Sequence, residues 1–194
     1  RCQSGKPGEQ KKLRLSLKIL ADVGLVGRPN AGKSTLLSRI SRARPKIADY
    51  PFTTRQPHLG IVKHGGGFQS FVVADIPGLI EDAHTGRGMG IQFLKHIERT
   101  RVLAVMVEST SDDPVRDAEH LCRELAEYSP ALAQKPQLYL LTKSDLFTND
   151  SRDIPGNWIP ISSVTGEGIN LAVEKIAQLL ESEEKERQLN ETPL

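Results

Sequence analysis

Gly27-Arg28-Pro29-Asn30-Ala31-Gly32-Lys33-Ser34 is the stretch on which the fold turns. It fits the pattern GxxxxGKS/T. The apolar run Asp22-Val23-Gly24-Leu25-Val26 precedes it and reads as a short buried strand. After it, Lys33 to Ser41 has helical spacing, with Leu36, Leu37 and Ile40 on one face. A strand, a glycine-rich turn and a helix in that order form the context this motif requires. The turn points backbone N–H groups inward at the positive helix end, where phosphates bind. Lys33 is placed to reach β- and γ-phosphates, and the Ser34 hydroxyl to bind Mg²⁺. Thr35 continues the helix at its start. The motif implies a nucleotide but not which base.

Moving outward, His58 to His64 reads as a strand, Gly65-Gly66-Gly67 as a turn and Phe68 to Ala74 as the returning strand of an antiparallel hairpin. That strand runs into Asp75-Ile76-Pro77-Gly78. Asp75, at a strand end, suits a magnesium ligand acting through water, and the Gly78 N–H can approach a γ-phosphate because no Cβ intervenes. Between helix and hairpin lies Tyr50-Pro51-Phe52-Thr53-Thr54. A threonine there supplies a hydroxyl to the metal and an N–H to the γ-phosphate. Thr54 is the first choice and Thr53 the second, in a loop of the kind that the γ-phosphate orders.

Further along, Gly90 to Thr100 is spaced as a helix, Val102 to Val107 as a buried strand and Pro114 to Tyr128 as a helix with proline in its first turn. Leu138 to Leu141 is a buried strand leading into Thr142-Lys143-Ser144-Asp145. A carboxylate at 145 can accept from N1 and N2 of guanine. Adenine offers no donors there and would leave it buried and unpaired, so guanine is preferred. The Lys143 stem can lie along the base plane. Ile159 to Ile161 is a short strand, and Ser162-Ser163-Val164 after it is a second base loop, able to donate a backbone N–H to the guanine O6. Gly168 to about Glu184 is the last helix. Alternating strands and helices predict an α/β fold. Six strands form a mostly parallel sheet with one antiparallel strand and helices on both faces.

The remaining features are permissive. The chain has 194 residues, 26% charged and 5% aromatic, with a net charge of +2. That is enough for one domain with a full core, and neither argues for nor against nucleic acid. No apolar run approaches the roughly 18 residues of a membrane span. Cys2 and Cys122 form no metal-ligand pattern, and a reduced, cytosolic setting is the default. The scattered histidines have no ligand spacing.

Five elements stand in the order of the Ras-like P-loop G domain: Gly27–Ser34, Thr54, Asp75–Gly78, Thr142–Asp145 and Ser162–Val164. The strings between them are more specific. Ala21-Asp22-Val23-Gly24-Leu25-Val26-Gly27, Pro45-Lys46-Ile47-Ala48-Asp49-Tyr50-Pro51-Phe52-Thr53-Thr54 and Phe93-Leu94-Lys95-His96-Ile97-Glu98-Arg99-Thr100-Arg101 resemble the Obg (CgtA) GTPase family. The resemblance covers about Leu13 to Leu180. It implies a cytoplasmic, monomeric GTPase that uses Mg²⁺, binds GTP and GDP, and acts on the large ribosomal subunit in its assembly. It also implies a glycine-rich domain ahead of the GTPase domain. Residues 1–20 then read as a linker and the final strand of that domain, 21–185 as the GTPase domain and 186–194 as a flexible tail.

The sequence departs from the family pattern at two places. Thr142 stands where asparagine is usual, with a hydroxyl that could bridge to the phosphate loop. Glu108 stands where aspartate is usual. Leu79 and Ile80 follow Gly78 where many GTPases carry a glutamine that orients water, so unassisted turnover is expected well below about 1 s⁻¹. Asn30 resembles the asparagine that holds K⁺ in potassium-activated relatives, which makes K⁺ a candidate second cation. Arg87, in the glycine-rich loop Glu81 to Gly90, is either solvated or a phosphate contact in cis. Arg39, Arg42, Arg44 and Lys46 either complement the helix dipole or contact RNA phosphates. Two other functions stay open: a guanine-nucleotide sensor with negligible hydrolysis, and an ATPase of the YchF kind, against which Asp145 argues.

Overall fold

A computed structural model of the chain describes residues 21–42, 46–47, 58–67, 69–75, 100–147 and 155–191. The described elements are β1 (Val23–Gly27), α1 (Lys33–Ile40), β2 (Lys46–Ile47), β3 (His58–His64), β4 (Gln69–Asp75), β5 (Val102–Glu108), α2 (Pro114–Tyr128), α3 (Pro130–Ala133), β6 (Gln137–Thr142), β7 (Ile159–Pro160) and α4 (Ile169–Glu191). The strands form one sheet in the order β2-β3-β4-β1-β5-β6-β7. β3 is antiparallel to both neighbours, and β1, β4, β5, β6 and β7 run parallel. The six expected strands are all present. Lys46–Ile47 adds a two-residue strand at the edge, where the sequence reading assigns no element.

β5 shows why both faces carry helices. Six of its seven residues are buried, so the run is apolar throughout rather than alternating. Its side chains still alternate by face. Val102, Ala104 and Met106 pack with Leu36 and Leu37 of α1 and with Ala172 and Ile176 of α4. Val105 and Val107 meet Ala118 and Leu121 of α2, while Leu103 meets Leu125 and Leu132. Each buried leucine of this kind stabilises by roughly 1.5–3 kcal/mol.

α2 starts where the sequence says it must. Asp113 accepts from the Arg116 N–H at 3.0 Å, and Pro114 follows at a position whose N–H needs no partner. α4 runs to Glu191, beyond the Glu184 end read from the sequence and into the stretch read as tail. A long-range clamp anchors the helix near the end read from the sequence. Arg101, at the foot of β5, donates to the Leu180 carbonyl at 2.8 Å and pairs with Glu183 at 2.6 Å and Glu184 at 3.1 Å. Arg187 then pairs with Glu183 one turn back.

Gly168 opens α4 with φ +69°, and a Cβ there would stand 2.0 Å from the Pro160 carbonyl oxygen. Both the conformation and the space exclude a side chain. Gly168→Ala is expected to cost about 2–4 kcal/mol, lowering the thermal midpoint by roughly 5–15 °C. A thermal melt checks it, and an unchanged midpoint would contradict the packing described.

Candidate functional site

Strand register brings the predicted loops to one edge. Gly27 at the end of β1 sits opposite Met106 of β5, and Glu108 at the end of β5 opposite Thr142 of β6. Leu141 lies opposite Pro160 of β7, and Asp75, ending β4, opposite Leu25 of β1. The loops after β1, β5, β6 and β7 therefore leave the same carboxyl edge, where open α/β sheets bind ligands. Lys33 and Asp145 follow strands separated only by β5.

The phosphate loop is curled by two left-handed residues, Asn30 at φ 64° and Gly32 at φ 85°. Ala31 is buried in the core and donates its N–H to the Arg28 carbonyl at 3.2 Å. A Cβ on Gly27 would stand 2.6 Å from the Met106 carbonyl oxygen, so the loop leaves β1 in close contact with β5. Lys33 folds back over the loop, its Nζ donating to the Gly27 carbonyl at 2.8 Å and the Arg28 carbonyl at 2.9 Å. Pro29, Asn30 and Thr35 are exposed. The Arg28 guanidinium turns away from the loop to pair with Asp117 of α2 at 3.0 Å.

Ser34 and Asp75 are 41 residues apart in sequence, yet the Ser34 hydroxyl donates to Asp75 Oδ2. Asp75 is 2% exposed, and its Oδ1 is buried without a hydrogen-bond partner among the described residues. A buried carboxylate oxygen without a partner is costly. A hard divalent cation beside the Ser34 hydroxyl would relieve it. No group of three or more His, Cys, Asp and Glu that could hold a metal occurs among the described residues. Mg²⁺ needs none, since one carboxylate, waters and substrate phosphates suffice for it.

The base loops are tied together by backbone. The Ser144 N–H donates to the Ile161 carbonyl at 3.1 Å, joining the loop after β6 to the loop after β7. Asp145 is exposed, in the short turn Ser144–Leu146. Ser162 is fully buried. Its hydroxyl accepts from the Thr165 N–H at 3.1 Å, and its carbonyl from the Gly166 N–H at 2.9 Å. Those bonds close a tight loop that leaves Ser163 half-buried and Val164 75% exposed.

Thr142 differs from the expectation. Its hydroxyl donates to the Val107 carbonyl at 3.2 Å, not to the phosphate loop. The oxygen branches at Cβ and is too short to reach further, so Thr142 joins β6 to β5. Lys143 lies in the left-handed region at φ 58°. Its carbonyl accepts from Ser109 Oγ at 2.6 Å, and its Nζ pairs with Glu108 at 2.8 Å. Sequence reasoning attached no role to Glu108 or Ser109. The signal available was their place at the end of the strand beside β6.

A cavity of about 360 Å³ lies between the phosphate loop and α2, lined by Arg28, Pro29, Met106, Glu108, Ser111 and Asp117 among others. None of Thr142–Asp145 or Ser162–Val164 lines it, so it backs the loop rather than forming the base site. Arg39 of α1 reaches the second base loop, where a Cβ on Gly166 would stand 3.0 Å from its Nη2. Phe52, Thr53, Thr54, Ile76, Pro77, Gly78, Leu79, Ile80 and Arg87, with all but Thr100 of the helix read over Gly90 to Thr100, lie outside the described residues.

Residues 22–143 match a family model described as "50S ribosome-binding GTPase". The chain is 56% identical over 182 residues to the GTPase Obg of Solibacter usitatus, an alignment covering 87% of this chain and 53% of the relative. It is 52% identical over 192 residues to the GTPase Obg of Desulforudis audaxviator, covering 93% and 45%. The chain thus spans about half the length of the curated relatives it matches. Among solved structures, the G domain of the T. maritima FeoB iron transporter superposes with a TM-score of 0.61 at 21% identity, over 81% of this chain and 96% of that one.

Proposed function

This chain belongs to the 50S ribosome-binding GTPase family, in its Obg branch, and from that premise we propose that it binds GTP with Mg²⁺ and hydrolyses it slowly. The product state is GDP, and the GTP state docks on the large ribosomal subunit in the cytoplasm. One observation carries the reading. The phosphate loop, the Ser34–Asp75 pair and the Asp145 turn share a single sheet edge.

Each residue has a distinct task in this reading. The N–H groups of Gly27 to Ser34 and the Lys33 ammonium hold the phosphates, in a loop already curled at Asn30 and Gly32. Ser34, Asp75 and Thr54 hold the magnesium, which neutralises charge on the phosphate oxygens when bound. The Gly78 N–H meets the γ-phosphate. Asp145 accepts from the guanine ring, and the Ser162–Val164 loop donates to its O6.

Water positioning is the weak step, because Leu79 and Ile80 carry no group that can orient it. Unassisted single-turnover hydrolysis is therefore expected well below about 1 s⁻¹, faster in K⁺ than in Na⁺ if Asn30 contributes to a cation site, and faster again with large ribosomal subunits. Phosphate release in each salt, with and without subunits, tests this. A rate above about 10 s⁻¹ without a partner would overturn the slow mechanism, and equal rates in the two salts would remove the K⁺ role. Effective competition by ATP for GTP would overturn the guanine reading.

A further inference from the structure

We propose that Glu108 is a positioning residue for guanine recognition: by holding the Lys143 ammonium, it keeps the Asp145 carboxylate free for the base. This rests on the base-site reading above.

The difficulty lies in the triplet Lys143-Ser144-Asp145 itself. It places a long, flexible cation two residues from the carboxylate that must accept two ring N–H donors. An ion pair between them would occupy the oxygens guanine needs. The structure commits the cation elsewhere. Lys143 Nζ lies 2.8 Å from Glu108 Oε2, with the two side chains 34% and 27% exposed. Such partial desolvation makes the pair stronger than a fully exposed one. The same oxygen accepts from Thr110 Oγ1 at 3.1 Å, which fixes the carboxylate. Ser109 Oγ holds the Lys143 carbonyl at 2.6 Å. Glu108, the last residue of β5, and Ser109 after it therefore hold both the side chain and the main chain of Lys143, with Thr110 bracing Glu108. Asp145 has no ion pair among the described residues.

The discriminating probe is the preference for GDP over IDP, which lacks the 2-amino donor and so loses one bond to Asp145. If Glu108→Gln frees Lys143 to pair with Asp145, GDP affinity falls about three- to tenfold and the GDP-over-IDP ratio shrinks towards one. Glu108→Asp keeps the charge and restores most of the ratio. In a Lys143→Ala background there is no ammonium to restrain, so adding Glu108→Gln leaves the ratio unchanged. Equal loss of GDP and IDP affinity in Glu108→Gln, the result of simple structural damage, would overturn the proposal. So would an unaltered ratio, or a further drop in the Lys143→Ala background. Asp145→Asn separates the two levels. If that change leaves the GDP-over-IDP ratio intact, the base-site reading fails and takes the proposal with it. If it erases the ratio while Glu108→Gln does not, only the role of Glu108 fails.

Discussion

Replacing Lys33 with alanine is expected to lower single-turnover GTP hydrolysis by about 10²–10³-fold, as the loss of one fixed group aimed at developing charge generally does. The ammonium is held over the loop by two carbonyls, Gly27 O and Arg28 O, so its position costs little reorganisation when phosphates arrive. Removing it takes a positive charge from the transferring phosphoryl group and takes the ammonium from both carbonyls, of which that of Arg28 keeps the Ala31 N–H. GTP affinity is expected to fall more than GDP affinity, on the reading that the side chain reaches the γ-phosphate. Lys33→Arg does not restore the rate, since a planar guanidinium cannot occupy the space of a compact ammonium between two carbonyls. Phosphate release at saturating nucleotide, with GTP and GDP affinities measured in parallel, checks each part. Lys33 contributes nothing to the apolar core, so the thermal midpoint serves as a control and stays within a few degrees. A variant that hydrolyses at the parental rate would show that the loop does not act on the phosphates.

What the sequence disclosed and what it hid divide along the distance over which each feature is determined. The phosphate loop was legible because everything it needs is local. A strand, two left-handed positions at Asn30 and Gly32 and a helix start all lie within a dozen residues. α2 was legible to the residue for the same reason: its cap, its proline and its apolar face are all in its own segment. The anchoring of α4 at Leu180 and Glu183 was not, because Arg101 holds it from about 80 residues away. Lys46–Ile47 was missed because two residues cannot display a period. In the candidate site, Asp75 is singled out by its motif, but its bond to Ser34 is a property of the β1–β4 register. The pairing of Glu108 with Lys143 spans two strand ends, and neither residue carries a motif that names the other. The Thr142 hydroxyl, open in the sequence to a bridge with the phosphate loop, instead donates to the Val107 carbonyl across the β5–β6 pair.

Asp145→Asn is expected to exchange the base that the site reads. A carboxylate at 145 accepts from the two N–H groups of guanine, and an asparagine can accept from only one of them. Its amide would face the 2-amino group with a donor against a donor. Leaving such a pair unmade costs about 1–3 kcal/mol, so GDP affinity falls about 10–100-fold. Xanthine carries a carbonyl in place of that amino group, which the asparagine N–H satisfies and the parental carboxylate repels. XDP affinity therefore rises by a similar factor, and the two nucleotides change order. The mutation reports on the ring alone, because Asp145 is carried on the turn after β6 while the phosphate loop follows β1, with β5 between them. Bound XTP should then be hydrolysed by the variant at the rate at which the parent hydrolyses GTP. Competition binding with GDP and XDP, followed by single-turnover hydrolysis of each triphosphate, separates the two steps. If hydrolysis of bound XTP falls as steeply as in Lys33→Ala, base and phosphate recognition are not independent. The carboxylate would then act on the phosphate loop through the β5 end, by way of Lys143 and Glu108.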